Sequence, residues 1–242
     1  MHLHVAETAE QLGKTAADKA AEIINGCIEK QGAARIILST GASQFPFLEA
    51  LAQKQVDWSK VEMFHLDEYV GLPESHLASF RKYLRERFLS YAPVKKAYLV
   101  NGEGDVARNI ADLTEEINRL PIDLALIGIG ENAHIAFNDP PADFDTTEAY
   151  KIVELDEACK RQQVGEGWFD SIDQVPAQAI TMTVRKIMES STIISCVPHE
   201  VKANAIKQTL NEEISREVPA SILNTHSDWW LYLDASSASQ LK

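Results

Sequence analysis

A short apolar segment that runs into two glycines limits the folds open to this 242-residue chain more than any other stretch. Residues 122–129, IDLALIGI, are apolar at nearly every position and predict a short buried strand. Gly128 and Gly130 permit a tight turn or the close approach of a ligand. In open α/β sheets, ligands bind just beyond the carboxyl ends of parallel strands. The polar residues after this strand therefore indicate a candidate active site; they are Glu131, Asn132, His134, Asn138 and Asp139.

The same segment also fits a plain connection from a strand to a helix, with an Asn that caps the helix and a His on the surface. Short motifs of this kind often occur by chance. On local pattern alone, both interpretations stay open.

Apolar segments of strand length alternate with amphipathic segments of helix length along most of the chain. Strands are predicted at 2–5, 35–39, 61–66, 98–100, 192–197 and 229–233, and helices at 6–30, 79–89 and 105–119. This alternation predicts an α/β fold in which right-handed crossovers build a mostly parallel sheet with helices on both faces. No internal repeat or linker interrupts the pattern, so we expect one domain over residues 1–242.

The formal net charge of −13 argues against nucleic acid as a partner, because such binding needs a basic surface, and equally against an anionic membrane. The three cysteines are far apart and lack metal-ligand spacing, which fits free thiols in a reducing compartment. The N-terminus lacks a secretory signal pattern, and no apolar run reaches the length of a membrane span. We expect a cytoplasmic protein without a metal site. The sequence does not fix the oligomeric state, and a homo-oligomer is compatible with it.

A hydroxyl-rich turn follows the strand predicted at 35–39. It contains Thr40, Gly41, Ala42 and Ser43, and a helix begins near Phe45. Free backbone N–H groups and the helix dipole favour an anion at such a position, and the two hydroxyls add donors. The alternative is that Ser43 only caps the helix.

Charged residues follow two other predicted strands. Asp67 and Glu68 come after the strand at 61–66, and only one of them can face a site there because successive strand residues point to opposite faces. An Asp after a strand also commonly begins a turn. Lys202 lies near a predicted helix start, where a cation opposes the helix dipole, so its position favours a binding role over a stabilising one.

Two motifs in this chain resemble those of one enzyme family. GIGENAHIAFNDP, ending at Pro140, is similar to the GxGxxGHIxFNEP signature of glucosamine-6-phosphate deaminases, also called isomerases. FHLDEYVGL, from Phe64 to Leu72, resembles the MDEYVGL block of the same family. The resemblance extends from the first helix to about Tyr232. The related 6-phosphogluconolactonases share the fold but differ after their His, and the run from Ile135 to Asn138 favours the deaminase branch.

The resemblance implies a Rossmann-like fold of the deaminase and ribose-5-phosphate isomerase type. It also implies an activity, the conversion of glucosamine 6-phosphate or a close amino-sugar 6-phosphate to fructose 6-phosphate and ammonia. His134 would open the sugar ring, Asp139 would orient His134, Asn132 would stand at a further catalytic position, and Asp67 would move the C2 proton. The phosphate would lie on the turn from Thr40 to Ser43, near Gly130, and on Lys202. No metal or organic cofactor is implied.

The chain departs from the family pattern at several positions. Gly167 stands where the family commonly carries an Arg that contacts the phosphate, and Arg161 is a candidate substitute. The family's usual Glu is Asp139 here, and its usual Gly before the His is Ala133. The surrounding segment 164–169 is glycine-rich and aromatic, which indicates a mobile segment near the site. Whether the C4 configuration of the substrate is gluco or galacto is not determined by the sequence.

Two other functions remain open. A lactonase-like hydrolase of sugar-phosphate lactones would use His134 as the base for water and would not need Asp67. A sugar-phosphate-binding regulator with weakened chemistry would fit the departures from the family pattern. In all three cases the expected partner is a small phosphosugar.

Overall fold

The computed structural model describes residues 1–211 and 213–241. The strands are β1 (His2–Ala6), β2 (Ala34–Leu38), β3 (Val61–His65), β4 (Asp67–Tyr69), β5 (Lys96–Tyr98), β6 (Leu124–Ile127), β7 (Tyr150–Glu154), β8 (Gln178–Met182), β9 (Thr192–Val197) and β10 (Trp229–Asp234). The helices are α1 (Ala9–Gln31), α2 (Phe45–Ala52), α3 (Phe80–Leu84), α4 (Val106–Asn118), α5 (Glu157–Gly165), α6 (Val184–Met188) and α7 (Ala203–Asn211). Within the described ranges, none of these helices is both long enough and apolar enough to cross a membrane.

Seven of the strands form one parallel sheet in the order β1-β10-β9-β6-β2-β3-β5. The strands β9, β6, β2 and β3 are neighbours, so their carboxyl ends lie side by side at one edge. Each of these ends carries one of the polar segments that the sequence indicated. Parallel pairing therefore brings residues together that are up to 160 positions apart in the sequence, roughly the span from the hydroxyl-rich turn to Lys202.

The core has two layers, one on each face of this sheet. On β2, Ile37 packs on the side that α4, α6 and α7 cover. Its neighbours Ile36 and Leu38 pack on the opposite side, against α1, α2 and α3. Buried parallel strands are apolar on both faces for this reason. The predicted α/β class, with helices on both faces of a mostly parallel sheet, is confirmed.

A second sheet, which the sequence analysis did not foresee, stands beside the first. It has three antiparallel strands in the order β4-β8-β7. β4 begins with Asp67, which pairs with Thr181 of β8. Asp67 and Glu68 therefore belong to a strand of their own and not to a turn that ends β3.

The segment after β6 contains no helix: residues 128–149 consist of turns and irregular backbone up to β7. The plain strand-to-helix connection considered for this segment is therefore wrong. Ala133 and Ala136 both adopt positive φ, 63° and 52°, which L-residues seldom do. Such strained backbone clusters at functional sites, where the surrounding structure holds it in place.

Candidate active site

A cavity of about 600 Å³, including its open mouth, lies at the carboxyl ends of β2, β3, β6 and β9. Its lining includes Thr40, Gly41, Ser43, Asp67, Gly130, His134 and Lys202, all of which the sequence singled out. The hydroxyl, carboxyl, imidazole and ammonium groups of this lining suit a small phosphorylated ligand. Ala42 belongs to the same turn as Thr40 and Ser43 but does not line the cavity.

Asp67 contributes a carboxyl group to the lining of the cavity and is only 7% exposed. Burial raises its pKa to about 8, and the adjacent Glu68 carboxylate acts in the same direction. A carboxyl with a pKa near neutrality can both accept and return a proton under ordinary conditions, which is the property of a general base.

Glu68 faces away from the cavity and is held by a dense set of donors. Its carboxylate accepts hydrogen bonds from Ser79 Oγ at 2.8 Å, from the backbone N–H of Arg81 at 3.0 Å and from Arg81 Nε at 3.2 Å. The side chains of Glu68 and Arg81 are 0% and 5% exposed. Glu68 thus fixes the start of α3 against β4, and its role is structural.

His134 lines the same cavity and is oriented by two acceptors. Its Nδ1 is 2.5 Å from Asn132 Oδ1 and 3.3 Å from Asp139 Oδ1. Neither oxygen can donate, so Nδ1 carries the proton and Nε2 is the acceptor of the neutral ring. Asn132 Nδ2 donates to the same oxygen of Asp139 at 3.1 Å, which ties the three side chains together.

The carboxylate of Asp139 is kept ionised by this arrangement. Burial acts to raise its pKa, but the hydrogen bonds from His134 and Asn132 outweigh burial, and the pKa lies below its ordinary value. An ionised Asp139 next to Nδ1 stabilises the imidazolium that forms when Nε2 takes a proton.

Gly130 lets His134 take this position. A Cβ at residue 130 would lie 2.1 Å from Cε1 of the His134 ring, closer than any real contact. The backbone N–H of Gly130 also donates to the carbonyl of His134 at 2.9 Å, which closes the turn. The glycine is required because the imidazole packs directly on its backbone.

The hydroxyl-rich turn after β2 also lines the cavity. It contains a 3₁₀ turn, Ala42–Gln44, directly before α2. Gly41 has φ 113°, and its carbonyl accepts a hydrogen bond from Tyr83 Oη at 2.8 Å. Gln44 Nε2 donates to the carbonyl of Cys196 at 3.0 Å and anchors the turn to β9.

Lys202 adds a cation to the lining of the same cavity. It lies in the 3₁₀ turn Glu200–Lys202 directly before α7, close to the helix start that the sequence predicted, and is 6% exposed. Within the described ranges its Nζ makes no ion pair shorter than 4.0 Å with a carboxylate, so its charge is available to a ligand. Burial lowers the pKa of Lys202, while Glu166 and Glu131 oppose that shift.

The structure does not bring Arg161 to the cavity. Its side chain is 58% exposed and pairs with Glu157 at 3.0 Å, one turn back on α5. Gln163 lines the cavity instead. Because each helical residue turns by about 100°, the directions of Arg161 and Gln163 around the helix axis differ by about 160°. The suggestion that Arg161 takes the place of the family Arg therefore fails on geometry.

Gln163 and Glu166 are cavity residues that the sequence analysis missed. They lie three positions apart, on one face at the C-terminal end of α5, where i and i+3 side chains are neighbours. The glycine-rich and aromatic composition of segment 164–169 was the only sequence signal that pointed to this wall.

Comparison with known proteins gives consistent matches over the whole chain. The family model of glucosamine-6-phosphate isomerases and 6-phosphogluconolactonases matches residues 7–231. The chain is 35% identical to a glucosamine-6-phosphate deaminase of Streptococcus suis and 32% identical to one of Lactobacillus delbrueckii subsp. bulgaricus, with 100% of each chain covered in both cases.

Solved structures agree with this result. A monomeric glucosamine-6-phosphate deaminase superposes with a TM-score of 0.89 at 28% identity, covering 99% of both chains. A 6-phosphogluconolactonase-like protein of Neisseria gonorrhoeae superposes with a TM-score of 0.76 at 21% identity, covering 97% of this chain and 99% of the other, and shows the shared fold alone.

Proposed function

Since the chain belongs to the family of glucosamine-6-phosphate isomerases and 6-phosphogluconolactonases, we propose that it is a glucosamine-6-phosphate deaminase of amino-sugar metabolism. It converts glucosamine 6-phosphate and water to fructose 6-phosphate and ammonia. The observation that carries this proposal is the buried carboxyl of Asp67 in the same cavity as His134. A lactone hydrolase has no use for a second proton-transfer group of this kind, whereas an isomerisation needs a base beside the carbon that loses its proton.

The sugar binds with its phosphate at the Lys202 end. Lys202 supplies the charge, and the hydroxyl groups of Thr40 and Ser43, together with backbone N–H groups of the turn before α2, supply hydrogen-bond donors. The rest of the sugar then extends across the cavity toward Asp67 and His134.

His134 opens the pyranose ring. Its Nε2 takes the proton of the C1 hydroxyl and passes it to the ring oxygen, so that the C–O bond breaks and an open-chain aldehyde forms. Asp139 stabilises the imidazolium between the two proton transfers. Asn132 keeps the side chains of His134 and Asp139 in position through its contacts to both.

Asp67 then moves the C2 proton. The ionised carboxylate removes the proton from C2 while the substrate ammonium gives a proton to O1, which forms the enolamine. Asp67 then delivers the C2 proton to C1, and the electron pair of the amine forms an iminium at C2. Water adds to that iminium and ammonia leaves, which yields the ketose. The substrate ammonium lies close to Asp67 in this pose and lowers the pKa of the carboxyl on binding, so that the ionised form is available at neutral pH.

The experiment that tests this proposal is an ammonia-release assay over a panel of 6-phosphates. We expect ammonia and a ketose 6-phosphate in equal amounts from an amino-sugar 6-phosphate, and no hydrolysis of 6-phosphogluconolactone above the spontaneous rate. Lactone hydrolysis without ammonia release from any amino sugar would overturn the proposal.

A further inference from the structure

Glu166 lines the cavity, yet the mechanism above does not use it. It follows the last residue of α5 and lies between Gly165 and Gly167, the second of which has φ 80°. It also borders a second opening on the other side of α5. Glu166 therefore borders both the cavity and this second opening.

Two donors fix the direction of the Glu166 carboxylate. Gln162 Nε2 donates to Oε1 at 2.7 Å, and Trp168 Nε1 donates to Oε2 at 3.0 Å. The Trp168 ring packs edge-on against Tyr83, with ring centroids 6.5 Å apart, and Tyr83 is the residue bound to Gly41. The carboxylate is thus positioned relative to the anion-binding turn and is not a freely moving surface group.

A carboxylate at this place opposes phosphate binding. Glu166 acts on the charge of Lys202, although no ion pair closer than 4.0 Å joins them in the described part of the chain. A bound phosphate would feel the same negative charge, so the residue weakens anion affinity unless the ligand compensates. A carboxylate accepts hydrogen bonds but cannot donate them, and it has about four acceptor positions. Gln162 and Trp168 occupy two of these positions, so the others are available to a ligand. The compensating group on the ligand must therefore be a hydrogen-bond donor.

The order of groups along the substrate identifies this donor. With the 6-phosphate on Lys202 and C2 beside Asp67, the hydroxyls at C3 and C4 lie between them, and that at C4 is closer to the phosphate. Resting on the proposed function, we infer that Glu166 is a specificity-determining residue that accepts a hydrogen bond from the C4 hydroxyl and selects the gluco over the galacto configuration. A site built to bind one hydroxyl rejects the epimer because its carboxylate then lacks a partner.

Binding of two non-reacting ligands tests this inference without any chemistry. Glucitol 6-phosphate and galactitol 6-phosphate differ only at C4, and their dissociation constants are measured by calorimetry. We expect the wild type to prefer the gluco compound by roughly ten- to a hundredfold, as for a hydrogen bond to a charged group. In Glu166→Ala the ratio should fall to near one, and in Glu166→Gln and Trp168→Phe to intermediate values.

Glu131→Gln is the matched control, because Glu131 also acts on Lys202 but does not line the cavity. It should change the affinity for both alditol phosphates alike and leave their ratio intact. An epimer ratio near one in the wild type, or one that stays unchanged in Glu166→Gln and Glu166→Ala, would overturn the inference. Ammonia release by the wild type is measured separately. This measurement distinguishes a failure of the proposed deamination from a failure of Glu166 to discriminate between the two configurations at C4.

Discussion

The carboxyl groups of Asp67 and Glu68 lie on opposite faces of β4, one in the cavity and the other on Arg81. Both side chains are almost fully buried. Of the two, Glu68 is the one whose carboxylate accepts hydrogen bonds from Ser79 Oγ and from the backbone and side chain of Arg81. The alternation of side chains along a strand thus separates a group that exchanges protons from a group that holds the fold.

Asp67→Asn should abolish deamination and raise stability. Loss of a general base typically lowers the rate about 10²- to 10⁴-fold. The pKa of Asp67 is about 8 in the folded protein and 3.8 in the unfolded chain. Its contribution to stability is therefore complete below pH 3.8 and is lost as the pH rises through about 8. An amide avoids this loss. The free energy of unfolding at pH 7 should therefore rise by about 1–3 kcal/mol. Urea unfolding of the wild type and the variant at pH 5 and pH 7 measures the gain, which should be larger at pH 7, and a destabilised variant would refute the assignment.

Glu68→Ala should have the opposite effect on stability. It removes one of the two close carboxylate partners of Arg81, the other being Glu103 at 2.9 Å, and leaves the Ser79 hydroxyl and the Arg81 backbone N–H without their acceptor. Breaking a buried ion pair in this way costs about 3–5 kcal/mol. The midpoint of urea unfolding measures the loss. If Glu68→Ala unfolds at the wild-type midpoint, the ion pair does not hold α3 to β4.

The pH dependence of kcat/KM reports the free enzyme, in which Asp67 must be ionised to act as a base. Because its pKa is raised to about 8, kcat/KM should increase with pH through that value. Initial rates between about pH 6 and pH 10, corrected for ionisation of the substrate, give the profile. A profile that is already flat near neutral pH would show that Asp67 titrates well below this range in the free enzyme.

Lys202→Ala should raise KM for the phosphorylated substrate at least about tenfold, because one charge-assisted contact to the phosphate is lost. The slow reaction of unphosphorylated glucosamine should be almost unchanged. Lys207→Ala is the matched control, since Lys207 is an exposed lysine on the same helical segment. Equal losses on both substrates in Lys202→Ala would show that this lysine acts on the fold or on the chemistry.

Local sequence patterns were sufficient to predict the strands of the main sheet and the cavity residues that directly follow them. The strand before Gly130, the turn at Ser43 and the carboxylate at Asp67 each follow a short buried strand, and parallel pairing brings such ends together. The wall made by α5 was not predictable in this way. The position of α5 beside the cavity depends on the second sheet. In that sheet Asp67 pairs with Thr181, more than a hundred residues away, and such a long-range pairing leaves no periodic signal in the sequence.

The placement of Arg161 shows a second limit. A helix can be predicted from sequence, but which of its faces meets the cavity depends on tertiary packing. Here buried Cys159 packs against the aromatic cluster around Phe169. That contact turns Gln163 inward and Arg161 outward.

We propose that this cavity catalyses an isomerising deamination. In it, Asp67 transfers the proton between C2 and C1, and His134 opens the sugar ring. The most direct test of this proposal is exchange of the C1 protons of fructose 6-phosphate, followed by proton NMR in D₂O with ammonium buffer. We expect exchange with the wild type, none with Asp67→Asn, and much of the exchange retained in His134→Gln, because the open-chain ketose needs no pyranose opening. His134→Gln should at the same time lose ammonia release from the cyclic amino sugar. Absence of C1 exchange with the wild type would contradict the account, because a lactone hydrolase or a binding protein would leave those protons in place.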